Sequence, residues 1–217
     1  MKYSDPYSAD FSNRDPSENT DPIFPGRWSP RSFRREEIPA SVLSAVFDAA
    51  RWSPSCFNEQ PWTFLTADSG AEFDLFLSLL VDANQVWAEN ASLIGFIVAA
   101  RHFSGKDREN RWSEFDCGAA WMALTLQART FGLYTHGMAG VRYEEVYEKL
   151  GIDKTRSKVV CGFALGILDV PEKLPEDLRE REIPSARKPI GDIRIAGRMT
   201  DSTKPDKKTP PLHGEKI

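Results

Sequence analysis

Arg51-Trp52-Ser53-Pro54-Ser55-Cys56-Phe57-Asn58-Glu59-Gln60-Pro61-Trp62 joins a run with helical periodicity to a short β-rich run. Prolines at 54 and 61 bias Ser53 and Gln60 away from helical dihedrals, so the backbone is extended on entry and exit. Between them stand Ser55, Cys56, Asn58, Glu59 and Gln60, a dense set of donors and acceptors, with Trp52, Phe57 and Trp62 as anchors. Two readings follow from these residues. One is a helix-to-strand turn whose Ser and Asn satisfy backbone groups, and locally it is the simpler account. The other is a rigid wall that offers hydrogen bonds to a flat, heteroatom-rich ligand.

Working outward, Ile38, Val42, Ala45, Val46 and Ala49 recur at helical steps, with Pro39 suited to the first helical position and the end near Trp52. Residues 62–66 read as a strand. Asp68 is a candidate N-cap for a helix burying Phe73, Phe76, Leu77 and Leu80. Residues 82–87 link this helix to the apolar run 91–100, which has the composition of a buried central strand ending at His102. Within the link, Asn84 reads locally as the cap of a short helix. A charged loop at 102–113 is expected to be solvated and is a candidate lid. From 114 to 130 the chain is helical and apolar nearly all round: Phe115, Gly118, Ala119, Met122 and Leu126 on one side, Trp121, Leu124 and Ala128 on others. Burial on several faces in so short a chain points to a homodimer interface as much as to a single core. Gly132 is placed as the residue that closes this helix. Residues 133–140 carry Gly137, Met138, Ala139 and Gly140, small enough to bring backbone N–H groups to a ligand. A helix at 143–150 and a buried strand at 158–168 follow.

The flanks are polar. Residues 1–26 form an arm whose scattered Tyr3, Tyr7, Phe11, Ile23 and Phe24 suit contact with a surface, a partner's included. Arg27-Trp28-Ser29-Pro30-Arg31 puts two guanidiniums and a hydroxyl at alternate positions, on one side of an extended segment. Residues 182–190 again offer cations in extended chain, and the tail from 199 on is expected to be mobile. No repeat or second domain is apparent: an arm at 1–26, one domain at 27–198 and a tail at 199–217.

Composition excludes several classes. At 217 residues, one well-buried domain is affordable. A net charge of -4 supplies no field for nucleic acid. Cys56, Cys117 and Cys161 are odd in number and widely spaced, which argues against a disulfide scaffold or zinc site and for a reducing, cytoplasmic compartment. No stretch is apolar for long enough to span a bilayer. There is no metal cluster, no nucleophile elbow and no P-loop. The spacing Gly132-x4-Gly137-x2-Gly140 follows a helix and is not a dinucleotide fingerprint. His102 and His136 read as hydrogen-bonded structural residues, and Cys117 and Cys161 as core. Rigid polar loops and anion-binding arginines without an acid–base team make sense when a cofactor carries the chemistry.

Arg27-x-Ser29-x-Arg31 followed by Pro54-Ser55-Cys56-Phe57-Asn58-Glu59-Gln60-Pro61-Trp62 resembles the FMN-dependent nitroreductase family. The likeness continues in register through Asn84, the helix around 116–120, the 132–140 segment and Arg187-Lys188-Pro189, over roughly 27–195. Cys56 stands where the family more often has Ser, and Ser53 where it often has Ala. The resemblance implies an α+β fold of three α-β-α layers, homodimeric, with extended arms and FMN in two sites built from both subunits. By position, Arg27, Ser29 and Arg31, joined by Arg187, would hold the phosphate and ribityl chain, with Trp28 among the cofactor-binding residues. Pro54, Ser55, Cys56 and Asn58 would come from the partner and lie along the isoalloxazine. Asn84 would bond its pyrimidine edge, backbone N–H groups of Ala139 and Gly140 would sit near N5, and Gly137 and Met138 would also bind the cofactor. The activity implied is hydride transfer from NAD(P)H to planar electron-poor acceptors, nitroaromatics and quinones, by a ping-pong mechanism. A dedicated dehalogenase or flavin-fragmenting enzyme of the same fold, and a non-catalytic flavin-binding protein, are the alternatives. No residue is expected to be a catalytic acid, base or nucleophile, and neither metal, nucleic acid nor membrane is expected as a partner.

Overall fold

In a computed structural model, which describes residues 2–199, the apolar run in mid-chain becomes an inner strand of a five-stranded antiparallel sheet. In chain order the elements are α1 (Ile23–Gly26), β1 (Phe33–Arg34), α2 (Ala40–Arg51), β2 (Trp62–Ala67), α3 (Gly70–Ser78), α4 (Asp82–Ala88) and β3 (Leu93–Ala100). They continue with α5 (Ser113–Thr130), β4 (Leu133–Met138), α6 (Tyr143–Lys149), β5 (Ser157–Leu168), α7 (Glu176–Arg179) and α8 (Ile190–Ile193). β3 pairs β2 on one side and β5 on the other, and β4 pairs β5. Ile167 pairs both Arg34 and Leu133, so β1 continues the β3 edge of β5 and β4 forms the opposite edge.

Alternation divides the side chains between two cores. Ile94, Phe96 and Val98 of β3 face Phe73, Phe76 and Trp87, from α3 and α4. Leu93, Ile97 and Ala99 face Val42, Val46 and Ala50 of α2 and Cys117, Ala120 and Leu124 of α5. The register shifts between Ile97 and Val98, which pair with Cys161 and Val159. The extra residue, Val160, is a bulge, and it reverses the parity of β5 so that Val159 and Ala164 reach the same core. Helices thus cover both faces, giving the three-layer α+β fold expected.

Several boundaries differ from expectation by a residue or two, as helix ends do. Ser69 occupies the cap position assigned to Asp68, whose carboxylate accepts from the Ser69 hydroxyl instead. Leu80 lies beyond α3 and bridges Val141. The 82–87 link is a helix, with Asn84 inside it. β3 ends at Ala100, so His102 is past the strand. The 102–113 loop is not merely solvated: Phe103 and Asn110 are buried, Ser104 N–H donates to Glu59 at 2.8 Å, and the Phe103 and Phe57 rings lie 5.9 Å apart. It therefore rests on the 51–62 connection. Cys117 is core, whereas Cys161 is half-buried.

The N-terminal arm lies on its own chain. Tyr3 N–H donates to Phe131 O at 2.7 Å, and the Tyr134 hydroxyl donates to Asp5 at 2.6 Å. Tyr7, Ala9 and Phe11 pack on the α3–α4 core. Gly132 closes α5 as expected, with φ 79°, and a Cβ there would meet Tyr3 O at 2.0 Å. Both the turn and the seat of the arm need this glycine.

Candidate flavin site

Beside β4 two cavities adjoin. The smaller, about 180 Å³, is lined by Arg14, Arg27, Trp28, Ser29, Arg31, His136, Arg181, Ile183, Ser185 and Arg187. The larger, about 540 Å³, is lined by Arg31, Asn84, Trp87, His136, Met138, Gly140, Arg181 and neighbours that include Gly137 and Ala139. Arg31, His136 and Arg181 line both, so the two lie side by side and share a wall. The expected residues divide accordingly: Arg27, Trp28, Ser29, Arg31 and Arg187 at the cationic end, Asn84 and Gly137 to Gly140 at the other.

Five guanidiniums converge on the smaller cavity. Arg27 donates to the Ser29 hydroxyl at 3.3 Å, and Arg187 to the carbonyls of Ser185 and Ala186, both at 2.9 Å. Burial, and then the charges of Arg187 and Arg27, lower the Arg14 pKa to about 10. Burial and Arg187 lower that of Arg27 as well. Arg14 and Arg27 are thus cations whose charged forms burial and a neighbouring guanidinium disfavour, and a phosphate dianion in this cavity would offset that. The residues present therefore fit the phosphate end of FMN.

His136 sits where the two cavities meet. Its Nδ1 lies 2.9 Å from Pro30 O, and its ring is 4.6 Å from that of Trp87. Burial, and then Arg31, push its pKa down to about 4, so the imidazole is neutral at pH 7. A carbonyl only accepts, which puts the proton on Nδ1. His136 thus holds the 27–31 segment against β4 without adding charge. Sequence reasoning gave it a structural role only; it is also a wall of the site.

At the larger cavity, Asn84 Nδ2 donates to Gly140 O at 3.1 Å and its Oδ1 accepts from Trp87 Nε1 at 3.3 Å. A Cβ on Gly140 would meet Asn84 Nδ2 at 2.5 Å, so glycine lets the amide lie against the end of β4. Each bond uses one hydrogen or lone pair and leaves the amide a second donor and acceptor for a ligand edge.

The 51–62 connection lines neither cavity. Cys56 N–H donates to the buried Asp116 carboxylate at 3.0 Å, which pins the loop to the start of α5. Phe57, Asn58 and Gln60 adopt left-handed backbone angles, φ 53°, 58° and 48°, so the exit before Pro61 is not extended as expected. Such conformations in non-glycine residues cost about 1–3 kcal/mol each and persist where the surroundings hold the segment in place. Trp52 and Phe57 in this loop, Trp112 just before α5 and Phe115 in its first turn are exposed, Phe115 by 76%. Pro54, Ser55, Cys56 and Asn58 therefore lie beside an uncovered apolar face and away from the arginines of their own chain.

Arg14, Arg181 and Glu182 were not singled out from sequence, although 182–190 was noted as cationic. They come from the two flanks and meet at the site only in the folded chain. Among the described residues no group of three or more His, Cys, Asp or Glu could hold a metal, and no helix is long and apolar enough to cross a membrane.

An antiparallel sheet between helical layers, with an arginine cluster and an amide–glycine edge beside one strand, defines a class of flavin-site folds. The model of the Nitroreductase family matches residues 25–86 and 74–167, and the chain belongs to that family. The chain is similar to a crystal structure described as an oxidoreductase containing FMN, at 40% identity and TM-score 0.83, over 87% of this chain and 96% of that one. It is 35% identical over 89 residues to Nitroreductase NfnB of Mycolicibacterium smegmatis, 41% of this chain but only 36% of that protein. It is 24% identical over 165 residues to the CLA biosynthesis enone reductase of Lactiplantibacillus plantarum, 60% of this chain and 76% of that protein.

Proposed function

We propose that the protein is an FMN-dependent oxidoreductase that moves hydride from NAD(P)H to planar electron-poor acceptors such as nitroaromatics and quinones. The observation that carries the reading is the adjacency of the two cavities: a cationic one suited to a phosphate lies against one with an amide–glycine edge suited to a flat heterocycle. FMN, when bound, supplies the hydride chemistry. Arg27, Ser29, Arg31 and Arg187 would hold its phosphate and ribityl chain, with Trp28 lining the same cavity. Asn84 and the backbone of Gly137, Met138, Ala139 and Gly140 hold and orient the ring.

Trp52, Phe57, Trp112 and Phe115 are four large aromatics that one chain leaves exposed around the loop and the start of α5, and grouped exposed apolar residues mark interaction surfaces. We read this face as the homodimer contact. A second copy of the chain would bring its Pro54, Ser55, Cys56 and Asn58 to the ring. We take 27–198 as the flavin-binding domain, 1–26 as an arm, and 199–217 as a tail, of which all but Met199 lies outside the described residues. A cytoplasmic location, where NADH and NADPH are supplied, suits three free cysteines.

Steady-state kinetics test the reading. One site serving donor and acceptor in turn predicts parallel double-reciprocal lines when NAD(P)H is varied at fixed levels of a quinone or nitroaromatic. It also predicts mutual competitive substrate inhibition. Intersecting lines would require both substrates at once and would refute the shared site.

A further inference from the structure

Glu182 is a carboxylate with 4% exposure that sits behind the arginine cluster. Its Oε1 accepts from Arg31 N–H and Ser32 N–H, both at 2.7 Å, and its Oε2 from Arg31 N–H at 3.0 Å. From the other flank, Arg14 Nη1 donates to Pro25 O and, at 2.8 Å, to Arg27 O, while Nε donates to Ser185 O at 3.1 Å. The segment that presents Arg27, Ser29 and Arg31 is therefore gripped at both ends. Arg14 joins its start to the C-terminal strand of chain carrying Arg187, and Glu182 fixes its end. Both gripping residues lie outside the region matched by the family model.

We infer that Glu182 and Arg14 are positioning residues that set the affinity of the site for the cofactor's phosphate. The inference rests on the FMN reading above. Neither residue is assigned a contact with the flavin. Glu182 acts through the backbone of residues 31 and 32, and Arg14 through three carbonyls. The geometry needs these particular groups. A glutamine at 182 would turn either its oxygen or its NH2 toward Arg31 N–H, and the NH2 would oppose a donor with a donor. A lysine at 14 keeps the charge, but one ammonium cannot reproduce the guanidinium fork that spans the three carbonyls.

Charge counting alone gives the opposite sign for Glu182. Removing an anion behind five arginines would strengthen the local positive field and tighten a phosphate. Positioning predicts weaker binding, so the direction of the change discriminates.

The test titrates apo-protein with FMN and with riboflavin, which lacks the phosphate, following quenching of flavin fluorescence. Wild-type protein should prefer FMN. Glu182→Gln and Arg14→Lys should each weaken FMN binding by about tenfold or more, the loss of one well-placed charge-assisted bond, while riboflavin affinity stays within about threefold. Retained riboflavin binding also shows that the ring end of each variant is folded. FMN binding that tightens or is unchanged, or equal losses for both ligands in both variants, would overturn the inference. Wild-type protein that binds neither flavin would overturn the FMN reading itself.

Discussion

Arg27→Ala combined with Arg31→Ala is expected to give a folded, dimeric and colourless protein. The two guanidiniums line the same cavity, and Arg27 is already depressed in pKa by burial and by Arg187. Burial and Arg187 already disfavour the Arg27 charge, so its removal costs the apo fold little. With the phosphate each supplies charge-assisted bonds worth about 1.5–3 kcal/mol. Losing both amounts to about 3–6 kcal/mol, or on the order of 10²–10⁴ in the FMN dissociation constant. The Glu182 grip is made by backbone N–H groups and survives the substitution of Arg31. Flavin absorbance per protomer, with molar mass by light scattering on the same sample, reads the result. Stoichiometric FMN in the double variant would remove the phosphate assignment.

Phe115→Asp is expected to separate the subunits and to strip the flavin without touching a residue near the arginines. Phe115 is 76% exposed on α5, on the side of the helix that also carries exposed Gly118 and Met122. Burying a phenylalanine contributes about 1.5–3 kcal/mol, and in a two-fold contact the substitution counts twice. Aspartate adds a charge beside Glu114 and Asp116 that has no partner in an apolar contact. A monomer at micromolar concentration follows. That monomer keeps its arginine cluster but has lost the loop a second copy supplies, so its FMN occupancy should fall at least tenfold. Light scattering and flavin content again decide. A flavin-replete dimer would show that the subunits meet elsewhere, and a flavin-replete monomer that one chain suffices.

Most of the fold was legible because its signals are local. The run of small and β-branched residues before Ala100 reads as a buried strand, and α5 reads as a helix buried on several faces. The side with Phe115, Gly118 and Met122 is the one left exposed in a single chain. The N-terminal arm was less legible, since its aromatics could have served any surface. Only the fit of Tyr3 over Gly132 and of Tyr7 and Phe11 onto the core shows that the surface is its own. The bulge at Val160 left no composition signal, because valine suits either face of a strand.

The site divides the same way. Arg27, Ser29, Arg31, Asn84 and Gly140 carry a recognisable pattern, and the fold places the first three in one of two adjoining cavities and the last two in the other. His136 was judged from its neighbours in sequence, which do not include Pro30 or Trp87. Arg14 and Glu182 have no motif at all. Each acts on backbone groups more than ten residues away, and such pairings exist only once both flanks have folded onto β4.

The central claim is that this chain holds FMN where a nicotinamide can reduce it. Protein purified with its flavin, made anaerobic and mixed with one equivalent of NADH or NADPH without an acceptor, tests this directly. Its yellow absorbance should bleach in a single phase and return when a quinone or nitroaromatic is added. Flavin that stays oxidised with both nicotinamides, although bound at one per protomer, would contradict the account.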